Sequence, residues 1–187
     1  EVKADGDRRY LDAMRSLSAY AKQLGLAALT VEPMSSRYEP PSTPEEISAY
    51  MTSLEEHYAT SPDATVPIYL CADVSHGLAD ADGTVLYDNM TIFEHGIPWT
   101  WEFHLKNTDA MFGSTFGFAD DERERGIVDL ARVRQTVEAN ARRFPRDTVV
   151  AYLEINGPKL GRDYSDPLLE HQLADSIRAI RALFLER

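Results

Sequence analysis

The sequence predicts an α/β protein in which helices cover a parallel β-sheet. Four short apolar runs alternate with amphipathic helical stretches, a pattern typical of parallel sheets because the chain must return through a helix between neighbouring strands. The 187 residues are 43% hydrophobic, which is enough to bury the core of one domain. We therefore expect residues 1–187 to form a single domain, with a leading helix followed by four strand–loop–helix units.

The leading helix and the first unit are marked by clear boundaries. Apolar residues recur at helical spacing over residues 7–24, and a glycine follows as a stop signal. The run LAALTVEP (26–33) is short, apolar and ended by proline, so we expect a buried strand there. The next helix begins at TPEE (43–46), where Thr is the N-cap, Pro occupies the first helical position and the final Glu completes a capping box.

The other units repeat this pattern with different loop lengths. The expected strands are VPIYLCADV (66–74), IPWTWEFHL (97–105) and TVVAYLEI (148–155), and the expected helices lie near 84–95, at about 129–144, and from Pro167 onward with Asp166 as the cap. We expect the charged stretch DDERERG (120–126) to be a solvated loop. The last two strands are followed by loops rich in glycine.

The charge balance excludes several classes of function. The chain has 19 Lys and Arg against 31 Asp and Glu, a net charge of −12, whereas binding to nucleic acid or to anionic membrane requires a basic surface. No apolar run approaches the ~18 residues of a membrane span, and the first residues, EVKADGDRRY, lack the pattern of a signal peptide. The single cysteine, Cys71, is typical of a reducing compartment. We expect a cytoplasmic protein.

An acid or an imidazole stands at the end of every predicted strand. These residues are Glu32, Asp73, His104 and Glu154, and in parallel α/β proteins the carboxyl ends of the strands meet at the edge where ligands bind. Three carboxylates that close together repel one another unless a cation compensates them. The sequence therefore predicts one divalent metal ion at this edge, Mn²⁺, Mg²⁺, Co²⁺ or Zn²⁺.

Other polar residues near the strand ends are candidate substrate contacts. His76 follows Asp73 by three residues, so it lies in the loop above the sheet, either as a substrate contact or as an exposed loop histidine. Lys159 and Arg162 lie in the glycine-rich loop NGPKLGRD (156–163), where they could hold an anionic group or simply be surface cations. Glu102 shares the strand face of His104, as a neighbour of the metal ligands or as a buried structural acid.

The motifs VEPMSSRYEPPSTPEE, CADVSH, WEFHLKNTD and YLEINGPK together resemble the xylose-isomerase-like sugar isomerase/epimerase superfamily of TIM barrels. The resemblance implies a (β/α)8 barrel of which this chain supplies the C-terminal half, as four βα units. It also implies that Glu32, Asp73, His104 and Glu154 hold the metal. Within the superfamily the chain is most similar to the ketose 3-epimerase type, whose Asn-Arg-Phe-Glu element looks like SRYE (36–39) here.

The resemblance implies roles for further residues. Arg37 and Glu39, in the SRYE element, would contact substrate hydroxyl groups. The epimerases carry a substrate-binding arginine a few residues after the metal-binding histidine, and this chain has Lys106 in that region. His76 and Lys106 would hold substrate oxygens or stabilise the developing negative charge.

The implied activity is that of a metal-dependent sugar or sugar-phosphate isomerase or epimerase. It removes a proton next to a carbonyl and forms an enediolate; an epimerase would use Glu32 and Glu154 on opposite faces of the substrate, whereas an aldose–ketose isomerase would use one glutamate. The alternatives are a metal-dependent lyase of the same superfamily, such as a keto-acid decarboxylase or a dehydratase, and a non-catalytic sugar-binding module. The expected partner is a small carbohydrate, neutral or anionic, and the expected assembly is a homo-oligomer.

Overall fold

Strands alternate with helices along the chain, as the sequence predicts. The structure is a computed structural model that describes residues 2–155 and 167–185. In chain order its elements are α1 (Val2–Gln23), β1 (Leu29–Val31), α2 (Pro44–Thr60), β2 (Ile68–Asp73), β3 (Leu78–Ala79), β4 (Val85–Tyr87), α3 (Asn89–Gly96), β5 (Thr100–Leu105), α4 (Asp120–Arg125), α5 (Leu130–Ala139), β6 (Val150–Leu153) and α6 (Pro167–Phe184), with single 3-10 turns at Ile97–Trp99 and Ala141–Arg143.

The main sheet has four strands in the order β1-β2-β5-β6. Every neighbouring pair in it is parallel, so the four carboxyl ends lie at the same edge. Strands β3 and β4 form a separate antiparallel hairpin. The order of strands in space follows their order in the chain, as in half of a (β/α)8 barrel.

One face of the sheet packs against the helices and forms the core. One apolar cluster joins β2 and β5 to α3, α5 and α6 through residues such as Phe93, Phe103 and Val133. A second cluster joins β1 and β2 to α1 and α2 through residues such as Ile47 and Leu70. Fully burying a side chain of this size contributes about 1.5–3 kcal/mol, so these two clusters hold each strand against its helix and thereby fix the strand ends.

The opposite face of the sheet carries the residues of chemical interest. The register places Cys71 opposite Glu102 and Asp73 opposite His104 on β2 and β5, and His104 opposite Tyr152 on β6. Tyr152 is 51% exposed, because no helix in residues 2–155 or 167–185 packs on it from this side. In a complete barrel this face is the interior.

The structure corrects the expected boundaries in the middle of the chain. The helix expected near residues 84–95 begins only at Asn89, because β4 pairs with β3 in a hairpin whose turn contains Gly83 at φ +83°. The stretch 120–126 is not a solvated loop: it forms α4, and the carboxylate of Glu122 is buried where it accepts a hydrogen bond from the amide of Ala119. Glu46 reaches back to the amide of Ser42, one residue before the N-cap Thr43.

None of the helices in the described part of the chain is both long enough and apolar enough to cross a membrane.

Candidate metal centre

Each of the four predicted ligands lies at the carboxyl end of a different strand. Glu32 directly follows β1, Asp73 ends β2, His104 is the next-to-last residue of β5, and Glu154 directly follows β6. One donor atom from each of them lies within 4.8 Å of the donor atoms of the other three. The parallel register brings together residues that are up to 122 positions apart in the chain (154 − 32).

The imidazole of His104 lies at the centre of this cluster. Its Nδ1 is 3.0 Å from Glu154 Oε2, 3.3 Å from Glu32 Oε1 and 4.0 Å from Asp73 Oδ2. The three carboxylates thus approach the same ring nitrogen from three different strands. We name these four residues the donor cluster.

The donor set fits a divalent cation. Asp73 Oδ2, His104 Nδ1 and Glu154 Oε2 are buried and make no hydrogen bond to any described residue, although buried polar atoms are nearly always hydrogen-bonded. The Lys106 ammonium is 2.7 Å from Asp73 Oδ2, which is an ion-pair distance without the alignment of a hydrogen bond. Three carboxylate oxygens and one imidazole nitrogen are ligands for Mn²⁺, Mg²⁺, Co²⁺ or Zn²⁺.

Two carboxylates of the cluster, those of Glu32 and Glu154, are held in their charged form. Burial tends to raise the pKa of Glu32, but the close imidazoles of His104 and His76 outweigh burial and lower that pKa far below its usual value. The close imidazole of His104 lowers the pKa of Glu154, against the effect of burial. Negative charge is therefore concentrated at the strand ends at neutral pH, as cation binding requires.

The chain itself supplies two positive charges against these carboxylates. Contacts with the sulfur of Cys71 and with the carboxylates of Glu154 and Glu32 raise the pKa of His104 to about 12. Burial opposes the charge of Lys106, but the carboxylate of Asp73 outweighs it and raises the pKa of that ammonium. Because a metal ion requires a neutral imidazole, a bound cation would take the place of the proton on His104 Nδ1.

His76 is buried and touches the donor cluster, so it is not an exposed loop histidine. Its Nε2 lies 3.3 Å from Glu32 Oε1, from Asp73 Oδ2 and from Lys106 Nζ. The hydroxyl of Ser35 lies 2.7 Å from its Nδ1 and fixes the ring from the other side. His76 and Lys106 therefore form a second polar group directly beside the donor cluster.

The remaining predicted site residues are not in the donor cluster. Arg37 and Glu39 are exposed, and together with Glu32 they line an open cavity of about 960 Å³ on the side of α1. Lys159 and Arg162 lie outside the described residues. The structure thus brings together Glu32, Asp73, His104, Glu154, His76 and Lys106.

The loop after β5 packs over the loop that carries His76. The ring of Phe112 lies against Gly77, where a Cβ atom would stand only 2.4 Å from Phe112 Cζ. Phe112 itself adopts φ +60°, a conformation that is rare for a bulky side chain. A backbone held in this way next to a candidate site is typical of functional loops.

Two contacts at the site were not predicted. Alternation along the strand places Cys71 on the face of Asp73, but nothing in the sequence shows that its Sγ lies 3.3 Å from His104 Nε2. Nothing in the sequence singles out Ser35 as a site residue, because serine is common in loops. Its contact with His76 depends on the course of the chain after β1.

Comparisons with known proteins point to one fold family. No protein-family model matches the chain, and no curated protein matches it. Among solved structures, it is similar to the crystal structure of a protein from Rhodospirillum rubrum ATCC 11170 that is provisionally named a xylose isomerase, with 26% sequence identity, a TM-score of 0.65, and coverage of 92% of this chain and 52% of that chain.

The matched region indicates how much of a barrel this chain forms. The chain spans about half the length of the Rhodospirillum rubrum protein. Its four-stranded parallel sheet corresponds to half of the xylose-isomerase-like barrel. The fold similarity, together with the acid or histidine at the end of every strand of that sheet, supports a likeness to the xylose-isomerase-like superfamily of TIM barrels.

Proposed function

We propose that this chain is the metal-binding half of a divalent-metal-dependent sugar or sugar-phosphate isomerase or epimerase, of the ketose 3-epimerase type. The observation that carries the proposal is the convergence of four strand-end donors, three of whose buried donor atoms make no hydrogen bond within residues 2–155 and 167–185. The similarity to a protein named as a xylose isomerase supports the reaction class. Binding of a carbohydrate alone would not need such a cluster.

The proposed chemistry is removal of a proton from the carbon next to a carbonyl. A divalent cation held by the donor cluster would polarise that carbonyl and stabilise the enediolate that forms. Glu32 and Glu154 come from β1 and β6, the two outer strands of the sheet, so their carboxylates reach the site from opposite sides. One of them, as the carboxylate, would take the proton from one face of the carbon, and the other, as the carboxylic acid, would deliver its own proton to the opposite face, as inversion at a carbon atom requires.

The neighbouring residues position the substrate. Asp73 and His104 come from the two central strands and act mainly as ligands. His76 and Lys106 lie beside the donor cluster with N–H groups that can donate to substrate oxygens. Arg37 and Glu39 would contact hydroxyl groups from the 960 Å³ cavity.

Further parts of the proposal concern the whole protein. Lys159 and Arg162 would bind an anionic group of the substrate. We also propose that residues 1–187 act as a single domain of a cytoplasmic homo-oligomer.

Metal binding is the first test. Calorimetric titration of the chain with Mn²⁺ and with Co²⁺ is expected to show one site per chain. Glu154→Gln keeps the size of the side chain but removes one ligand charge, so it is expected to weaken binding about 100-fold or more. The matched control is Glu138→Gln on α5, whose exposed carboxylate pairs only with the surface residue Arg134 in the described structure. Equal binding by Glu154→Gln and the wild type would contradict the proposal.

The reaction is tested by a substrate screen. Ketoses, sugar acids and sugar phosphates are incubated in D₂O with Mn²⁺ or Co²⁺, and products are analysed by mass spectrometry and NMR. An isomer that gains one deuterium supports isomerase or epimerase chemistry, because the removed proton exchanges with solvent. Loss of carbon dioxide or water would indicate the lyase instead.

A further inference from the structure

The sulfur of Cys71 lies below the donor cluster, against the ring of His104. Cys71 Sγ is 3.3 Å from His104 Nε2, and the side chain is buried. The register places Cys71 opposite Glu102 and Asp73 opposite His104, so Cys71 is one level deeper in the sheet and diagonal to the imidazole. The ring therefore has carboxylates on its Nδ1 side and sulfur on its Nε2 side.

Only one tautomer of the neutral imidazole can serve as a metal ligand in this orientation. Nδ1 faces Glu154 and Glu32 at 3.0 and 3.3 Å, so Nδ1 must offer its lone pair to the cation. The single ring proton then resides on Nε2, where the sulfur is positioned to accept it. In the other tautomer the thiol would donate to Nε2, and an N–H group would point at the cation.

We propose that Cys71 is a positioning residue, which holds His104 as the Nε2–H tautomer and thereby presents Nδ1 to the metal. Ligating histidines commonly donate their second N–H to an acceptor that fixes the ring. The inference rests on the proposed metal-dependent function, and it assigns to Cys71 a role that acts through His104 and involves no contact with substrate.

The chemistry of a thiol suits this position. The cluster already contains three carboxylates, so a fourth one under His104 would add to their repulsion. A thiol is a neutral acceptor and leaves the charge of the site unchanged. The nearest acid on that level, Glu102, accepts a hydrogen bond from the hydroxyl of Thr30 at 2.8 Å, which holds its carboxylate on the side of β1.

The test compares variants at one position. Cys71→Ser keeps an acceptor of similar size, whereas Cys71→Ala and Cys71→Val remove it, the latter while filling the space. Zn²⁺ affinity is measured by calorimetry, and the His104 tautomer in the Zn²⁺-loaded protein by ¹⁵N NMR. The Ala and Val variants are expected to bind Zn²⁺ about 10-fold more weakly than wild type and to lose the N–H···S signature at Nε2, with the Ser variant in between.

A control separates this effect from loss of packing. Val31→Ala truncates a buried side chain next to Glu32 that faces the helices, so it is expected to lower the thermal midpoint and leave Zn²⁺ affinity unchanged. Wild-type Zn²⁺ affinity in both Cys71→Ala and Cys71→Val would overturn the inference about Cys71 and leave the proposed function standing. The same conclusion would follow if Cys71→Ser bound Zn²⁺ no more tightly than Cys71→Ala. A wild-type protein that binds no Zn²⁺ would overturn the proposed function together with the inference.

Discussion

Lys106 places an ammonium group beside the donor cluster, where it is almost inaccessible to water. It is 6% exposed, and its Nζ lies 2.7 Å from Asp73 Oδ2 and 3.5 Å from Glu154 Oε2. Asp73 is itself fully buried at the end of β2. Removing one partner of such a pair leaves an uncompensated charge in a medium that solvates it poorly.

Lys106→Met is therefore expected to lower the free energy of unfolding by about 3 kcal/mol without added metal. Added Mn²⁺ is expected to restore part of this loss, because the cation compensates the same carboxylates. Urea denaturation with and without Mn²⁺ measures both effects. The control is Lys22→Met on α1, where the lysine is exposed and the change should stay within about 0.5 kcal/mol. A Lys106→Met protein as stable as wild type would contradict the interpretation.

At the scale of single residues, the convergence of the four strand-end residues could be predicted and their supporting contacts could not. Glu32, Asp73, His104 and Glu154 follow from one rule, that parallel strands end together, applied to four apolar runs. The contacts of His76 with Ser35 and of His104 with Cys71 depend on ring orientation and on loop geometry. Ring orientation and loop geometry are set by packing between units that are far apart in the chain. The alternation of side chains along a single strand gives no information about that packing.

Among the elements, α3 begins with a charged N-cap. Asp88 accepts hydrogen bonds from the amide and the hydroxyl of Thr91 at 2.9 and 2.8 Å. Burial tends to raise the pKa of Asp88, but these hydrogen bonds outweigh it and lower the pKa below its ordinary value of 3.8. The ionised cap therefore stabilises the folded chain above that ordinary value, and its contribution is lost as the pH falls through the lower native pKa.

Asp88→Ala is expected to cost about 1 kcal/mol near neutral pH, and the difference from wild type is expected to shrink in acid. Asp88→Asn is the matched comparison, because asparagine caps a helix nearly as well but carries no charge. Its difference from wild type should also diminish as Asp88 becomes protonated. Urea denaturation across the acid range measures these differences. A cost for Asp88→Ala that is constant down to the lowest pH would contradict the charged-cap assignment.

The packing of Phe112 on Gly77 joins the loops after β5 and β2. Gly77→Ala would place a methyl group 2.4–2.7 Å from three atoms of the ring, so we expect a loss of about 1–3 kcal/mol from overpacking. In a Phe112→Ala background the same substitution should cost clearly less, with a coupling of at least about 0.5 kcal/mol. A double-mutant cycle measured by denaturation gives this value.

Gly6→Ala provides the opposite expectation for the same chemical change. Gly6 lies within α1, and no neighbouring atom stands within 4 Å of the place that an alanine methyl group would take there. Alanine should therefore stabilise the helix by about 0.5–1 kcal/mol. If both glycine substitutions change stability equally, the ring contact at Gly77 is not the cause.

The secondary-structure elements could be predicted where the periodic pattern of apolar residues extends over many residues. They could not be predicted where the elements are short. Helices α2 and α6 carry a long apolar stripe, and their first residues match the sequence signals at Pro44 and Pro167. The β3–β4 hairpin has strands of two and three residues, too short to show alternation. Its pairing depends on the turn at Gly83 and on neighbouring loops, so the stretch looks like part of a helix in the sequence.

For the molecule as a whole, the donor cluster links all four strands of the main sheet. A ligand that binds the folded chain but not the unfolded chain stabilises it by mass action, by about 2.7 kcal/mol at 100 times its Kd. For a domain of this size that corresponds to a rise of about 5–10 °C in Tm. We expect Mn²⁺ to produce this rise in a calorimetric scan, and Glu154→Gln to abolish most of it. An equal rise in both proteins would show that the ion binds elsewhere.

The distribution of the ligands along the chain has a consequence for synthesis. Each strand contributes one ligand, and the last of them, Glu154, follows β6. A ribosome-bound chain that ends before β6 has three of the four donors and lacks one of the two outer strands of the main sheet. If the donor cluster holds an ion as proposed, occupancy by that ion would report that β6 has been synthesised and has docked against β5, and a chain that stops short of β6 would be recognised by its failure to retain the metal.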